Sequence, residues 1–365
     1  MYNTRRGFEM KDIAIWLIKL IGATLFIGGL LGMMTSLTIF GLLVLASAFF
    51  MQYTGKVKRG KQKSVAVKDV NLPLEEYLKS KVVGQDKAIK EIVSVIKMKA
   101  KRQEVEGALS PILGVFLFVG PTGVGKTETA KAIAEWFNWK YGHQFLQFDM
   151  GGFTYYHTAS SLVGSPKGYI GSDEGGVLTR PLMHNPKAVI LFDEMEKAYH
   201  TLYKPLMRLV DEGLIQEIST GLYTKLYQGV IIFTSNLFQS TIRAISQFVS
   251  DDIQKELLVR DVLTGKFDKV SHIVPQEVIK QDIHIAQGKG FPPEFIGRID
   301  KIVIFEPLKE MDLVEIVARI MAKYRIPQDM KYAYQLTQKF KPIAKEYGVR
   351  TFLKKIEEEL IRKEK

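Results

Sequence analysis

Apolar runs of strand length recur at residues 114–119, 145–149, 188–192, 229–234 and 302–305, with amphipathic stretches of helical period between them. That alternation predicts an α/β doubly wound fold around a parallel sheet. Ligands of such folds bind at the carboxyl ends of the strands. A different pattern occupies the beginning of the chain. From Ile13 to Met51 there are 39 residues of which only Lys19 is charged.

As one helix that run would be about 58 Å long, against a hydrocarbon core of about 30 Å. Two short crossings fit better, with a reversal near Gly28-Gly29-Leu30-Leu31-Gly32. Arg5, Arg6 and Lys11 precede the run, and Lys56, Lys58, Arg59, Lys61 and Lys63 follow it. Basic flanks at both ends suit a hairpin whose two ends stay in the cytoplasm. One long tilted span and a cleaved leader ending at Ala46-Ser47-Ala48 are the rival readings, though the run far exceeds a leader's apolar core. The expected organisation is an N-terminal tail (1–12), a transmembrane helical segment (13–52), a basic linker (53–70), a large α/β domain (71–305) and a small helical domain (306–365).

The net charge of +12 changes this picture little. Residues 1–70 carry +7 of it, beside the hydrophobic run, which favours a lipid surface over nucleic acid as its reason. The chain has no cysteine, so disulfides, thiolate zinc sites and thiol nucleophiles are excluded. Its six histidines show no metal-ligand spacing.

The chemistry concentrates at Gly120-Pro121-Thr122-Gly123-Val124-Gly125-Lys126-Thr127, a complete phosphate loop between an apolar run and a helix-like run from Glu128 to Trp136. Gly120, Gly123 and Gly125 let backbone N–H groups close around phosphate oxygens. Lys126 would meet the β and γ phosphates, and Thr127 would offer its hydroxyl to Mg²⁺. Ala188 to Phe192 is a buried strand leading into Asp193-Glu194. Asp193 would hold Mg²⁺ and Glu194 would polarise an attacking water. A further buried strand runs from Gly229 to Asn236, placing Asn236 to orient that water or the γ-phosphate.

With these motifs in order, residues 75–365 resemble the AAA+ ATPases of the Clp type, above all the second ATPase ring of ClpB-like unfoldases. Val82-Val83-Gly84-Gln85 matches the family's adenine-side segment, and Asp193-Glu194-Met195-Glu196-Lys197-Ala198 its D-E-I-E-K-A motif. Phe291 to Asp300 resembles the arginine-finger segment, and Tyr347-Gly348-Val349-Arg350 the sensor-2 motif of the lid. The resemblance implies that Val82 and Val83 flank the adenine, that Arg298 serves a neighbouring subunit's nucleotide, and that Arg350 serves its own. It implies ATP and Mg²⁺ as ligands, a ring that is a hexamer, and a polypeptide substrate. Gly168-Tyr169-Ile170-Gly171 matches the aromatic pore loop of that family, and Asp211-Glu212-Gly213 through Gly221 a second pore-facing loop.

The sequence also departs from the family. Gly297 stands where Asn usually precedes the finger arginine, and Tyr199-His200 replaces the usual His-Pro. Residues 236–291 form a longer stretch than the family's and hold no I-G-F or I-G-L tripeptide, so a ClpP-like peptidase partner is not expected. One ATPase module is expected, with the hydrophobic segment in place of a substrate-recruiting domain. The expected protein is an unfoldase anchored in the bacterial cytoplasmic membrane, with its ATPase in the cytoplasm and a membrane protein as a further partner. The competing reading is the ATPase of a nucleic-acid or secretion and transfer machine at the membrane. Against nucleic acid, no basic–aromatic stripe or helix-turn-helix pattern stands out.

Overall fold

A computed structural model describes residues 72–106, 112–165, 175–287 and 290–363. The hydrophobic run of 13–51, its basic flanks and the Gly168–Gly171 loop lie outside the described residues. No helix among the described residues is long and apolar enough to cross a membrane.

The chain enters through α1 (Leu74–Lys81) and α2 (Asp86–Glu106) and then forms β1 (Ile112–Val119). There follow α3 (Lys126–Tyr141), β2 (Gln144–Asp149), α4 (Tyr156–Val163), α5 (Thr179–His184) and β3 (Ala188–Asp193). Next come α6 (Tyr203–Glu212), the short strands β4 (Leu214–Gln216) and β5 (Tyr223–Lys225), and β6 (Gly229–Ser235). The long stretch after Asn236 is three helices, α7 (Gln239–Phe248), α8 (Asp252–Leu263) and α9 (Gln276–Ile285). The single turn α10 (Pro293–Ile296), β7 (Lys301–Ile304), α11 (Glu310–Lys323) and α12 (Met330–Lys363) complete the chain.

Five strands form one parallel sheet in the order β2-β3-β6-β1-β7. β1 and β6 are buried at every position, as central strands covered on both faces must be. The alternate side chains of β1, β3 and β6 divide between two cores. Val115, Leu117, Ile190, Phe192, Ile231 and Phe233 pack to one side. Phe116, Phe118, Val189, Leu191, Val230 and Ile232 pack to the other, against α1, α2 and α3. Helices α11 and α12 carry a third core of their own, built on Leu313, Val317, Leu336, Phe352 and Ile356.

Register sets the site. Val119 pairs with Ser235 and Asp149 with Asp193, so β1, β2, β3 and β6 end along one edge of the sheet. The last sheet strand stops at Ile304, one residue short of the apolar run, although Phe305 N–H still bonds Val119 O of β1 at 2.8 Å. The polar stretch from Asp211 to Gly221 is not one open loop. Gly213, at φ 66°, caps α6 in the left-handed region, and β4 then pairs antiparallel with β5.

Candidate functional site

The phosphate loop leaves β1 through three left-handed or extended glycines, Gly120, Gly123 and Gly125, at φ 143°, 83° and 104°. A Cβ on Gly120 would lie 2.4 Å from Phe305 O, so that position also lacks room for a side chain. Gly125 then starts α3, whose first turn carries Lys126 and Thr127. The free N–H groups and the dipole at that helix end favour an anion.

Lys126 is buried, and its Nζ donates to Gly120 O (2.6 Å), Pro121 O (2.8 Å) and Asn236 Oδ1 (2.7 Å). Burial pushes this ammonium down to about 8, against the pull of Glu196, Asp193 and Glu194. A cation this poorly solvated gains from an incoming phosphate. The Thr127 hydroxyl lies 3.1 Å from Asp193 Oδ2, while Asp193 Oδ1 accepts from Thr234 Oγ1 at 2.5 Å. Thr127 and Asp193 are hard oxygen donors, which fit Mg²⁺. No group of three or more His, Cys, Asp or Glu that could hold a metal ion occurs among the described residues.

Glu194 sits in the left-handed region (φ 58°, ψ 51°), an uncommon place for a glutamate. Two contacts hold it there. Its N–H donates to Thr234 Oγ1 at 2.9 Å, and its carboxylate meets Lys197 Nζ at 2.5 Å. Asn236 follows β6, and its N–H donates to Glu196 Oε1 at 3.0 Å. Burial raises the Glu196 carboxyl above its usual range, offset in part by bonds from Asn236, its own backbone and Ser235.

These groups surround a cavity of about 560 Å³. Thr122 to Thr127, Asp193, Glu194 and Asn236 line it together with Val82 and Val83, and Val349 and Arg350 border it beside the phosphate loop. Arg350 reaches the cavity because α12 breaks at Gly348 (φ 81°, ψ 167°), which restarts the helix beside the phosphate loop. Gly120 and Pro121 do not line the cavity; their carbonyls hold Lys126 from behind. Arg298 is not in the cavity either. Its Nε donates to Asp211 Oδ2 and its Nη1 to Glu294 O, both at 2.6 Å.

Several contributors escaped sequence reasoning. Leu308, Ile316, Ile320 and Leu353 give the cavity an apolar wall from the helical domain, and Lys81, Lys131, Arg319 and Lys323 a basic rim. Gln85 is buried; it donates to Val124 O and Glu306 O and accepts from Glu306 N–H, tying the phosphate loop to the end of the sheet. Gln85 and Glu196 stand inside recognised motifs, and that was their only signal.

The family described as AAA domain (Cdc48 subfamily) matches residues 112–302. The chain is 34% identical over 250 residues to a protein named chaperone protein ClpB of Bacteroides thetaiotaomicron, covering 68% of this chain and 26% of that one. Against chaperone protein ClpB of Helicobacter hepaticus it is 36% identical, covering 67% and 25%. Against the negative regulator of genetic competence ClpC/MecB of Bacillus subtilis it is 33% identical, covering 77% and 32%. The chain thus spans about a quarter to a third of the length of these curated relatives.

Proposed function

Because this chain belongs to the AAA+ ATPases of the Clp type, and is an ATP hydrolase, we propose that it is a membrane-anchored motor that remodels polypeptides by threading them through a ring. The observation that carries the reading is the division of labour between two arginines. Arg350 lines the chain's own nucleotide cavity, whereas Arg298 sits outside it on a half-exposed pair with Asp211. A cation needed at the γ-phosphate but held outside its own cavity suits delivery to a neighbour, and so a ring, with six subunits as in the family it resembles.

In this reading the apolar wall from Val82, Val83, Ile316 and Ile320 takes the adenine, and the loop N–H groups with Lys126 take the phosphates. Bound Mg²⁺, held by Thr127 and Asp193, would neutralise charge on the β and γ oxygens. Glu194 accepts a proton from the attacking water, and Asn236 orients that water against the γ-phosphate. Lys126 leaves the carbonyls of Gly120 and Pro121 to follow the developing negative charge. Arg298 from the neighbour and Arg350 from the same chain meet the remainder.

The Gly168-Tyr169-Ile170-Gly171 segment would grip substrate, since an aromatic–aliphatic pair between glycines contacts any side chain. The run from 13 to 51 would anchor the ring as a hairpin in the bacterial cytoplasmic membrane, with the ATPase on the cytoplasmic side. Flotation of the full chain with lipid vesicles, against a chain starting at residue 53, tests the anchor.

Substrate trapping with Glu194→Gln tests the rest, because that variant should bind ATP and hold its substrate. Recovered polypeptide, together with ATPase stimulation by unfolded protein, supports the proposal. Recovered nucleic acid, with stimulation by DNA or RNA instead, would establish the transfer-machine reading. Tyr169→Ala should keep basal ATPase and lose remodelling; full remodelling would sink the threading idea.

A further inference from the structure

Glu217, in the turn between β4 and β5, is a carboxylate in a polar loop, and yet only 2% of it is exposed. Its Oε2 accepts from Gly176 N–H at 2.7 Å and from the Thr179 hydroxyl. Its Oε1 accepts from Ser219 Oγ at 3.0 Å and Ser219 N–H at 3.3 Å. Burial alone would raise this acid, but the bonds from Thr179, Gly176 and Ser219 outweigh it and hold the group below the usual carboxylate range. Around the carboxylate the chain has been cleared of side chains. A Cβ on Gly164 would fall 1.7 Å from Glu217 Oε1, and one on Gly176 would fall 2.6 Å from both Gly164 N and Leu162 O.

Its partners outside its own turn, Gly176 and Thr179, both come from the stretch 175–179, which in turn pairs with 161–164. Val177 N–H bonds Ser161 O and Leu178 N–H bonds Leu162 O, both at 3.0 Å, so these stretches run side by side. Ile218 N–H adds a bond to Val163 O at 2.9 Å from the hairpin. At its other end the hairpin continues, through Gly213, from α6, whose Asp211 holds Arg298 at 2.6 Å.

We propose that Glu217 is a positioning residue that locks the β4–β5 hairpin to the paired stretches 161–164 and 175–179. Any shift of α6 when Arg298 exchanges Asp211 for a phosphate is then delivered to 175–179 through the buried carboxylate, beside the direct Ile218–Val163 bond to 161–164. The inference rests on the threading reading above, since it assigns Glu217 to the coupling of hydrolysis to substrate movement and gives it no part in hydrolysis. Among the described residues, none of the hydrogen-bond partners of Glu217 lines the nucleotide cavity.

The test uses the full chain in detergent or vesicles, with fluorescein-labelled casein as the unfolded polypeptide. Glu217→Gln places an amide N–H₂ against donors. Thr179→Val deletes one donor at constant size, and Thr179→Ser restores the hydroxyl. For Glu217→Gln and Thr179→Val, basal ATPase should stay within about twofold while the casein-stimulated increment falls about fivefold or more, and Thr179→Ser should recover it. Hydrogen exchange at Gly176 and Ile218 should accelerate in the first two variants only. Wild-type stimulation in both would overturn the coupling role and leave the threading reading intact. Basal and stimulated rates falling together would overturn it too, reducing Glu217 to a stability element. Absence of casein stimulation in the wild type would remove the threading reading, and this inference with it.

Discussion

Glu194 and Lys197 face each other across one 3₁₀ turn, carboxylate oxygen to ammonium nitrogen at 2.5 Å. The pair is partly exposed, so its worth is about 0.2–1 kcal/mol. It also competes with any role of Glu194 at the γ-phosphate. Lys197→Met should therefore raise basal kcat, by up to about fivefold, with KM for ATP unchanged. Glu194→Gln should instead lower kcat by about 10²–10⁴ while ATP still binds. Steady-state ATPase assays on both variants decide this, and a slower Lys197→Met enzyme would show that the lysine supports the base.

Lys126 reads out binding separately from folding. At ATP one hundred times Kd the wild type should gain about 2.7 kcal/mol of stability, and Lys126→Ala none at the same concentration. Thermal melting with and without nucleotide measures it. An equal ligand-induced shift in the variant would mean that Lys126 does not meet the phosphates.

Glu196 should act on rate through Asn236. Glu196→Ala leaves the Asn236 N–H without its buried acceptor, a loss of about 1–3 kcal/mol. Expressed at the transition state, that corresponds to a fall in kcat of about 5- to 150-fold. Glu196→Gln keeps an acceptor oxygen and should retain most of the rate. If both variants turn over alike, the contact does not position Asn236.

Arg298 is testable by mixing. Arg298→Ala should lower kcat by about 10³ or more while leaving ATP affinity intact. Chains carrying Arg298→Ala and chains carrying Lys126→Ala should each be inactive and regain turnover when co-assembled. No recovery on mixing would place Arg298 in its own subunit's chemistry.

His143 is buried, and its ring nitrogen Nε2 sits 2.8 Å from Gln228 O. Burial lowers its pKa below the ordinary 6.5 in the folded chain. The unfolded chain therefore binds the proton first, and stability must fall as pH drops below about 6.5. His143→Gln should flatten that part of the profile, since an amide can still donate to Gln228 O. Urea unfolding followed by tryptophan fluorescence between pH 5 and 8 would reveal it; identical slopes would remove His143 as the cause.

Legibility in the sequence followed distance along the chain. β1, β3 and β6 announced themselves because strands covered on both faces need unbroken apolar runs. The phosphate loop and Asp193-Glu194 are local, and their chemistry needs those residue types at adjacent positions. The lid wall could not be read this way. Ile316 and Ile320 form an ordinary amphipathic stripe, and only the fold turns part of that stripe toward the phosphate loop. Gln85 joins segments 221 residues apart, which no spacing rule detects. Glu217 carries no local signal, because nothing about a carboxylate among Ser, Thr and Gly announces burial. Its burial depends on glycines at 164 and 176, a matter of what is missing from other segments.

The cavity wall has one more consequence. Val82 belongs to a core beneath the sheet, and Val349 packs against a separate core between α11 and α12. A nucleotide lodged between them would act as a removable wedge, its base lying against apolar side chains from both bodies. The set angle of the helical domain would then be a property of the occupant more than of the polypeptide. Each turnover would withdraw the wedge and reset the joint, so the hydrolysis product itself would be a moving part.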